Sequence, residues 1–300
     1  MHVIRADRTT FAFRPDAEPV LRAQPGEVVQ FETSPAPVER LFAAGDRWTE
    51  VLDINAINAV TGPVYIEGVE PGDAVSVEII DIRPGDWGWC AAIAGFGLLG
   101  DQVTTPMLRR VPIRDGRAFL SDKLSVPIRP MIGCLGLAPA TGECSTFRPP
   151  FPWGGNYDLL QVSRGNTILF PAQVSGGLFS LGDLHAAMGA AEVTYVSIEC
   201  PGAATVRLGI RKGLALETPR IEAPDRVYAI GLDGSGDVAT GGDFQVARKQ
   251  ATDLLLTYLT AERGLSFDDA YVVISACGDL EFGGPAGAVA LASVPLSVLA

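Results

Sequence analysis

Two short segments near the middle of the chain contain the side chains best suited to chemistry. The first reads Gly-Gly-Asn-Tyr-Asp at 154–158 and offers Asn156 and Asp158. The second reads Gly-Asp-Leu-His at 182–185 and is followed by Glu192, so one of only two histidines lies close to acids. An imidazole nitrogen with carboxylate oxygens is a donor set that binds a divalent ion such as zinc. The pattern predicts a metal centre and, with it, a hydrolase.

The spacing of these residues indicates how they could share one ion. Asp183 and His185 are two residues apart, and side chains two apart on a strand lie on the same face. A bound ion lowers the pKa of its water to about 7 and polarises a carbonyl. Glu192 could be a third ligand or the general base. Asn156 and Asp158, also two apart, could orient the substrate or complete the ligand shell.

Structural roles remain open for the same residues. His185 could be a hydrogen-bonding residue without chemistry. Asp183 and Asn156, which both follow glycine, could be turn residues. Glu192 could be a solvated carboxylate.

Composition excludes several classes of function. The chain has 300 residues, of which 47% are apolar and 19% charged, as in globular proteins. Its net charge of -12 argues against binding to nucleic acid or anionic membranes, which need basic surfaces. The longest apolar run, about 89–100, is shorter than the roughly 20 residues that span a bilayer. We therefore predict a soluble protein.

The cysteines indicate a reducing compartment. The chain has five, an odd number, and none belongs to a CxxC pair. Such a set does not build a disulfide framework or a zinc ribbon. We expect reduced thiols and a cytoplasmic location.

Short strands dominate the predicted structure of the first two-thirds. Turns that contain glycine precede alternating segments at 28–32, 74–79 and 167–170. We interpret their recurrence as turn chemistry and not as an internal duplication. Regularly spaced strands of this kind predict the layers of a β-sandwich or barrel.

The last third changes character. After a Gly/Asp loop at 231–242, Asp243 is a plausible N-cap for a helix that reaches the Arg-Gly pair at 263–264. Ser266 caps a second helix, and 288–299 returns to an apolar strand. The prediction is a mainly β fold with a small α+β part. Its soft divisions are 1–125, 126–215 with the metal site, and 216–300, within one compact unit.

Several motifs occur together in a specific order. They are Thr-Gly-Pro-Val-Tyr-Ile-Glu-Gly at 61–68 with Glu-Pro-Gly-Asp at 70–73, Pro-Met-Ile-Gly at 130–133, Leu-Ala-Pro at 137–139, the segments 154–158 and 182–186, and Leu-Ser at 265–266 with Ala-Tyr at 270–271 and Gly-Asp-Leu at 278–280. In this order they resemble the acetamidase/formamidase family of amide hydrolases. The resemblance implies a mostly β fold, hydrolysis of short amides such as formamide and acetamide or of γ-lactams, a divalent ion expected to be zinc, and a homo-oligomer.

The resemblance also assigns roles along this chain. We predict eight site residues, which are the metal ligands Asp183, His185 and Glu32, the catalytic residues Glu192 and Asp158, and the substrate-binding residues Asn156, Gly155 and Trp153. An amide needs a strong nucleophile, a polarised carbonyl and a proton for the leaving amine. An ion with neighbouring acids can meet these needs.

The chain departs from the family pattern at three places near the predicted site. Ala190 and Ala191 stand where an acid and a glycine are usual, Trp153 replaces a histidine, and Ser34-Pro35 follows where an aspartate is common. These departures leave two alternatives open. One is a non-catalytic small-molecule binder on the same scaffold, and the other is an amidase with a different nucleophile, such as Cys134.

Aromatic residues are also frequent around the predicted site. The set is Trp87, Trp89, Phe96, Phe147, Phe151 and Trp153. Ordinary core packing explains such residues most simply. They could instead narrow the site or favour a bulkier apolar amide.

Overall fold

A computed structural model describes residues 1–148, 150–190, 192–233, 242–284 and 289–299. Most of the predicted 231–242 loop lies outside the described residues, as does Ala191. No helix within the described ranges is both long and apolar enough to cross a bilayer.

Strands make up most of the regular structure. In chain order they are β1 His2–Ile4, β2 Thr9–Thr10, β3 Ala12–Phe13, β4 Leu21–Ala23, β5 Val28–Glu32, β6 Val60–Ile66, β7 Ala74–Pro84, β8 Trp87–Ala92, β9 Met107–Arg114, β10 Arg117–Ser121, β11 Leu124–Pro127, β12 Met131–Gly136, β13 Cys144–Ser145, β14 Gly154–Asn156, β15 Thr167–Pro171, β16 Phe179–Ala187, β17 Ile198–Cys200, β18 Gly202–Arg211, β19 Arg220–Glu222, β20 Arg226–Leu232, β21 Asp279–Gly283 and β22 Val289–Pro295. The prediction of a mainly β fold is confirmed, and the strands predicted at 28–32, 74–79 and 167–170 lie within β5, β7 and β15.

Two large sheets contain nearly all of these strands. A nine-stranded sheet has the order β1-β5-β18-β7-β15-β19-β20-β22-β21, in which β1 and β5 are parallel and the other described neighbours are antiparallel. It draws strands from all three predicted parts of the chain. An eleven-stranded sheet has the order β11-β10-β9-β8-β17-β16-β12-β14, with β6 paired to β16 and the strands β2 and β4 paired to β6. Neither order closes into a barrel.

The main core lies between these sheets. One continuous apolar cluster joins Val77 and Val206 of the nine-stranded sheet to Ile132 and Leu184 of the eleven-stranded sheet. This is the packing of a β-sandwich, in which inward side chains of both sheets interdigitate. Every residue of β12 is buried. Strand β12 is therefore a buried interior strand, between β16 and β14, which suits a strand beside a functional site.

The helices pack outside this core. They are α1 Ala36–Ala43, α2 Trp48–Val51, α3 Phe244–Thr257, which continues as the π-helical segment Tyr258–Glu262, and α4 Phe267–Cys277. The side chain of Asp243 accepts a hydrogen bond from Gln245 N, and that of Ser266 accepts one from Asp269 N. The two C-terminal helices and both of their N-caps are thus as predicted.

Helices α1 and α2 were not predicted. Val38, Leu41 and Trp48 pack against Ala91 of β8 and form a small apolar cluster. Val38 and Leu41 are three residues apart on α1, which fits one helical face, but α1 and α2 are too short for the pattern to stand out. They matter because they cover one side of the site described next.

Candidate active site

Neighbouring strands of the eleven-stranded sheet bring the candidate residues together. Strand β12 lies between β14 and β16, and β17 pairs with the other edge of β16. His185 on β16 lies directly opposite Glu199 on β17. The pairs Ile132–Leu184 and Cys134–Gly182 place Gly133 opposite Asp183. Antiparallel partners on one face lie within about 5.5 Å of each other, so the register itself assembles the site.

The imidazole of His185 is surrounded by carboxylates. Its Nε2 lies 2.9 Å from Glu199 Oε1, 3.2 Å from Glu192 Oε1 and 3.7 Å from Asp158 Oδ1. The backbone N–H of Ser197 donates to both Glu192 Oε1 and Glu199 Oε1. His185, Glu192 and Asp158 are all buried. The arrangement is a buried acidic cluster around one imidazole.

Asp183 joins this cluster through Asn58. The amide nitrogen of Asn58 donates to Asp183 Oδ2 at 3.1 Å and to Asn156 Oδ1 at 2.9 Å. The same nitrogen lies 3.0 Å from the backbone carbonyl oxygen of Thr146, whose hydroxyl donates to the backbone carbonyl of Asn58. Asn58 thus fixes the orientation of Asp183 and Asn156 together, and leaves the Asn156 amide nitrogen free of these bonds.

The acidic residues occupy unusual backbone positions. Asp158, Asp183 and Glu192 have φ of 44°, 58° and 39°. Few residues other than glycine adopt this left-handed region, and doing so costs of order 1–3 kcal/mol when the structure enforces it. Three such positions within one cluster indicate that the fold holds these carboxylates in place at some expense of stability.

Burial and mutual repulsion perturb the acids. Burial raises the pKa of Asp158 well above its usual range, and the Glu192 and Asp183 carboxylates raise it further. Burial raises the pKa of Glu199 to about 8, although His185 opposes this shift. Burial alone would lower the pKa of His185, but the Glu199 and Glu192 carboxylates raise it well above its usual range. Without a further cation, the cluster therefore retains protons.

The cluster fits a divalent metal ion. Two sets of three side chains could each hold an ion, because the ligand atoms within a set all lie within 4.8 Å of one another. The first set is Asp158, Asp183 and His185, and the second is His185, Glu192 and Glu199. Within this cluster, three buried atoms have no hydrogen-bond partner among the described residues: Asp158 Oδ1, His185 Nδ1 and Glu192 Oε2. Among the described residues, no Lys or Arg forms an ion pair with these acids. Buried acids without a cation are costly, and an ion would supply the missing charge.

Gly133 leaves room for such an ion. A Cβ at this position would lie 2.3 Å from Asp158 Oδ1, 2.7 Å from Asp183 Oδ2 and 2.6 Å from His185 Cε1. A methyl group could not fit there without displacing these side chains. The absence of a side chain at Gly133 therefore keeps open the space bordered by Asp158, Asp183 and His185.

A cavity of about 270 Å³ leads to the cluster. Its inner end is formed by polar residues, which are Asn58, Asn156, Asp158, Asp183, His185, Glu192 and Glu199. The rest of its lining is mainly apolar and includes Leu41 and Trp48 of the unpredicted helices. The structure thus combines an acidic end with an apolar entrance, as in many small-molecule sites.

The structure brings together five of the eight predicted site residues: Asp183, His185, Glu192, Asp158 and Asn156. Glu32 is not among them. It ends β5, in the other sheet, and its Oε1 lies 3.2 Å from Arg5 Nη1. We therefore remove Glu32 from the predicted ligand set.

Trp153 and Gly155 also lie apart from the cavity. Neither Trp153 nor Gly155 is among the described residues that line the cavity. Trp153 stacks on Phe151 with ring centroids 5.5 Å apart, within a separate apolar cluster. Gly155 pairs with Leu135 of β12. Their closeness in sequence to Asn156 does not bring them to the cavity.

Three contributors were not predicted: Glu199, Asn58 and Gly133. An acid within the short apolar strand Ile198–Cys200 is the signal that could have indicated Glu199. Gly133 belongs to a motif noted above, but nothing in the sequence says that it faces His185. Asn58 has no local signal.

Cys134 has the wrong environment for a nucleophile. It is fully buried, and its Sγ donates to the Thr146 carbonyl at 3.4 Å. Burial raises the pKa of its thiol well above the usual range, and Asp183 and Asp158 raise it further. A thiol that resists ionisation is a poor nucleophile, which disfavours the Cys134 alternative.

Replacing Asn58 with alanine is expected to destabilise the protein. The change leaves Asp183 and Asn156 without a buried donor, at a cost of about 1–3 kcal/mol in the free energy of unfolding. Urea unfolding of the metal-free protein measures this cost. Asn55→Ala, an exposed position in the same segment, is the matched control, and equal effects of both changes would contradict the role given to Asn58.

Known proteins share this sequence pattern and fold. The model of the acetamidase/formamidase family matches residues 5–148 and 141–284. The chain is 25% identical over 217 residues to the formamidase of Methylophilus methylotrophus, a match over 54% of this chain and 53% of that protein. The chain therefore spans about half the length of this relative.

Two solved structures are similar over almost the whole chain. The acetamidase from Bacillus halodurans has a TM-score of 0.88 at 29% identity, covering 99% of this chain and 98% of that one. A predicted acetamidase/formamidase from Thermoanaerobacter tengcongensis has a TM-score of 0.91 at 28% identity, covering 99% and 96%.

Proposed function

This chain belongs to the acetamidase/formamidase family, and on that premise we propose that it hydrolyses the C–N bond of a small amide with the help of a divalent metal ion. The observation that carries this proposal is the buried acidic cluster around His185 at the inner end of an apolar cavity. Hydrolysis of formamide or acetamide, as the names of its relatives suggest, is one form of this activity.

We propose Asp158, Asp183 and His185 as the metal ligands. They border the space above Gly133, and two of them have buried atoms without hydrogen-bond partners. When bound, a divalent ion supplies an activated water and polarises the amide carbonyl. Zinc suits this mixture of oxygen and nitrogen donors.

Glu192 is the proposed general base and acid. Its Oε1 is fixed by the Ser197 N–H and by His185, whereas its buried Oε2 has no partner within the described part of the chain and can accept a proton. The same carboxyl group can then donate that proton to the leaving amine. Glu199 contacts His185 at 2.9 Å and orients the imidazole.

Asn156 and the cavity walls have binding roles in this proposal. The Asn156 carbonyl oxygen accepts from Asn58, so its amide nitrogen is oriented and can donate to the amide oxygen of a substrate. The apolar walls exclude bulk water, which strengthens polar interactions at the inner end.

Metal removal is expected to abolish ammonia release. The purified protein should contain about one divalent ion per chain. Dialysis against a chelator should reduce activity on simple amides to background, and zinc should restore it. His185→Ala should lose both the ion and the activity.

Other outcomes separate the alternatives. A protein without bound ion that binds amides but releases no ammonia would favour the non-catalytic binder. Turnover that survives both chelation and His185→Ala would eliminate the metal mechanism. Loss of turnover after thiol alkylation, together with a Cys134→Ala variant that folds and keeps its metal ion but is inactive, would revive the cysteine alternative.

Three further proposals are supported only by the family resemblance or by the composition of the chain. We propose a homo-oligomer, a cytoplasmic location and, for some substrates, lactam hydrolysis. Light scattering after gel filtration tests the homo-oligomer. Lactam hydrolysis is tested with a γ-lactam by measuring the amino acid that ring opening produces, because this reaction releases no ammonia.

A further inference from the structure

The apolar part of the cavity has a built aromatic wall. Phe96 and Phe147 stack with ring centroids 6.1 Å apart and an interplanar angle of 20°. Tyr195 meets Phe96 edge to face, with centroids 5.2 Å apart. These rings come from segments distant in sequence, so neither local packing nor a single loop accounts for their meeting at the cavity.

Backbone contacts hold this wall in place. The Leu98 N–H donates to the Val193 carbonyl at 2.8 Å and joins the segment of Phe96 to that of Tyr195. Tyr195 has a φ of 57° and its N–H donates to the Glu192 carbonyl. The wall is therefore connected directly to the acidic end of the site.

Other residues of the cavity lining are also apolar. Leu41 and Trp48 of α1 and α2, together with Ile57, also line the cavity. No Lys or Arg is present among the described residues that line the cavity, and its charged groups are confined to the inner cluster. The outer cavity thus offers no partner to a charged substituent, whose burial there would be unfavourable.

The size of the cavity exceeds what a minimal amide needs. Its volume is about 270 Å³, whereas an apolar cavity of about 150 Å³ already binds benzene. Acetamide at the inner end would leave the walls of the outer cavity without contacts. A ring or a chain attached to the amide would fill it.

From these observations, and resting on the proposed amide hydrolysis, we infer that the substrate is an uncharged amide that carries an apolar ring or chain. Formamide and acetamide are then poor substrates. The substituent lies on the acyl or on the amine side of the C–N bond. Comparing substrates that carry the substituent on one side or on the other decides between the two.

The test is to measure kcat/KM of the metal-loaded protein for a series of amides of increasing size. The acyl series is formamide, acetamide, butyramide, hexanamide and phenylacetamide, assayed by ammonia release, and the amine side is tested with N-benzylacetamide. Each buried methylene should raise kcat/KM about fourfold. Phenylacetamide or N-benzylacetamide should exceed acetamide by roughly 10- to 150-fold. A hexanamide analogue that ends in a carboxylate should fall below hexanamide.

Wall variants tie any such preference to this cavity. Phe96→Ala and Phe147→Ala should each remove most of the preference for the favoured bulky amide, measured as the ratio of its kcat/KM to the kcat/KM for acetamide in the same variant. Leu98→Ala is the matched control, because Leu98 is 67% exposed and its backbone contact does not need its side chain.

The possible results separate this inference from the proposed function. Turnover that is fastest with acetamide, or a bulky preference that both wall variants retain, overturns the inference and leaves amide hydrolysis standing. No product from any amide overturns both. A preference on either side of the bond that both variants weaken supports the inference and identifies the side.

Discussion

Gly133→Ala is expected to abolish both metal binding and amide hydrolysis. The added methyl group would lie 2.3 Å from Asp158 Oδ1 and 2.7 Å from Asp183 Oδ2, in the space that these side chains border with His185. Because both are proposed ligands, the methyl group would displace ligand atoms and occupy the position of the ion. We expect no measurable bound ion and a loss of kcat/KM of roughly 1000-fold, equivalent to about 4 kcal/mol.

This substitution tests the location of the ion without removing any donor. Metal analysis, ammonia release and thermal unfolding should be measured on the same preparation. Gly189→Ala is the matched control, since a Cβ there meets no atom within 4 Å and Gly189 lies close in sequence to Glu192. A Gly133→Ala protein that keeps its ion and its activity would show that the ion does not bind in this space.

The sequence was informative where function depends on local spacing. Asp183 and His185 are two residues apart on β16, and both reach the same cluster, as the strand period predicts. The caps at Asp243 and Ser266 were recognisable because a capping side chain bonds to a backbone N–H two or three residues later. These features need no knowledge of distant segments.

The remaining parts depend on which strands become neighbours. Glu199 reaches His185 only because β17 pairs with β16 in one particular register, and a shift of one residue would turn it to the other face. Gly133 borders the site because β12 pairs with β16, and Asn58 lies on a segment without regular structure. Long-range pairing of this kind is not encoded in any short motif.

The prediction for Glu32 shows the opposite error. Its place on an early strand matched an acidic position of the family pattern, but β5 belongs to the nine-stranded sheet and the cluster to the eleven-stranded sheet. Its carboxylate instead pairs with Arg5 and is 30% exposed. An acid on a strand says little about the site until the sheet that holds the strand is known.

Glu192→Gln is expected to lower kcat by about 100- to 10,000-fold while leaving the ion in place. The amide side chain can still contact His185 and occupies the same volume, but it cannot accept the proton that the proposed mechanism assigns to Oε2, which is buried without a partner. KM should change little, because Glu192 is not expected to bind the substrate in its ground state. The activity should not return at higher pH.

Two comparison variants make this result decisive. Asp183→Asn removes a proposed ligand and should lower metal content together with activity, and excess zinc should partly restore both. Glu199→Gln loses the negative charge beside the His185 Nε2, at 2.9 Å, and should weaken metal affinity about 10- to 100-fold with a smaller effect on kcat at saturating zinc. If Glu192→Gln instead loses its ion and recovers activity with excess zinc, Glu192 is a ligand, and the proton must be held by another acid of the cluster.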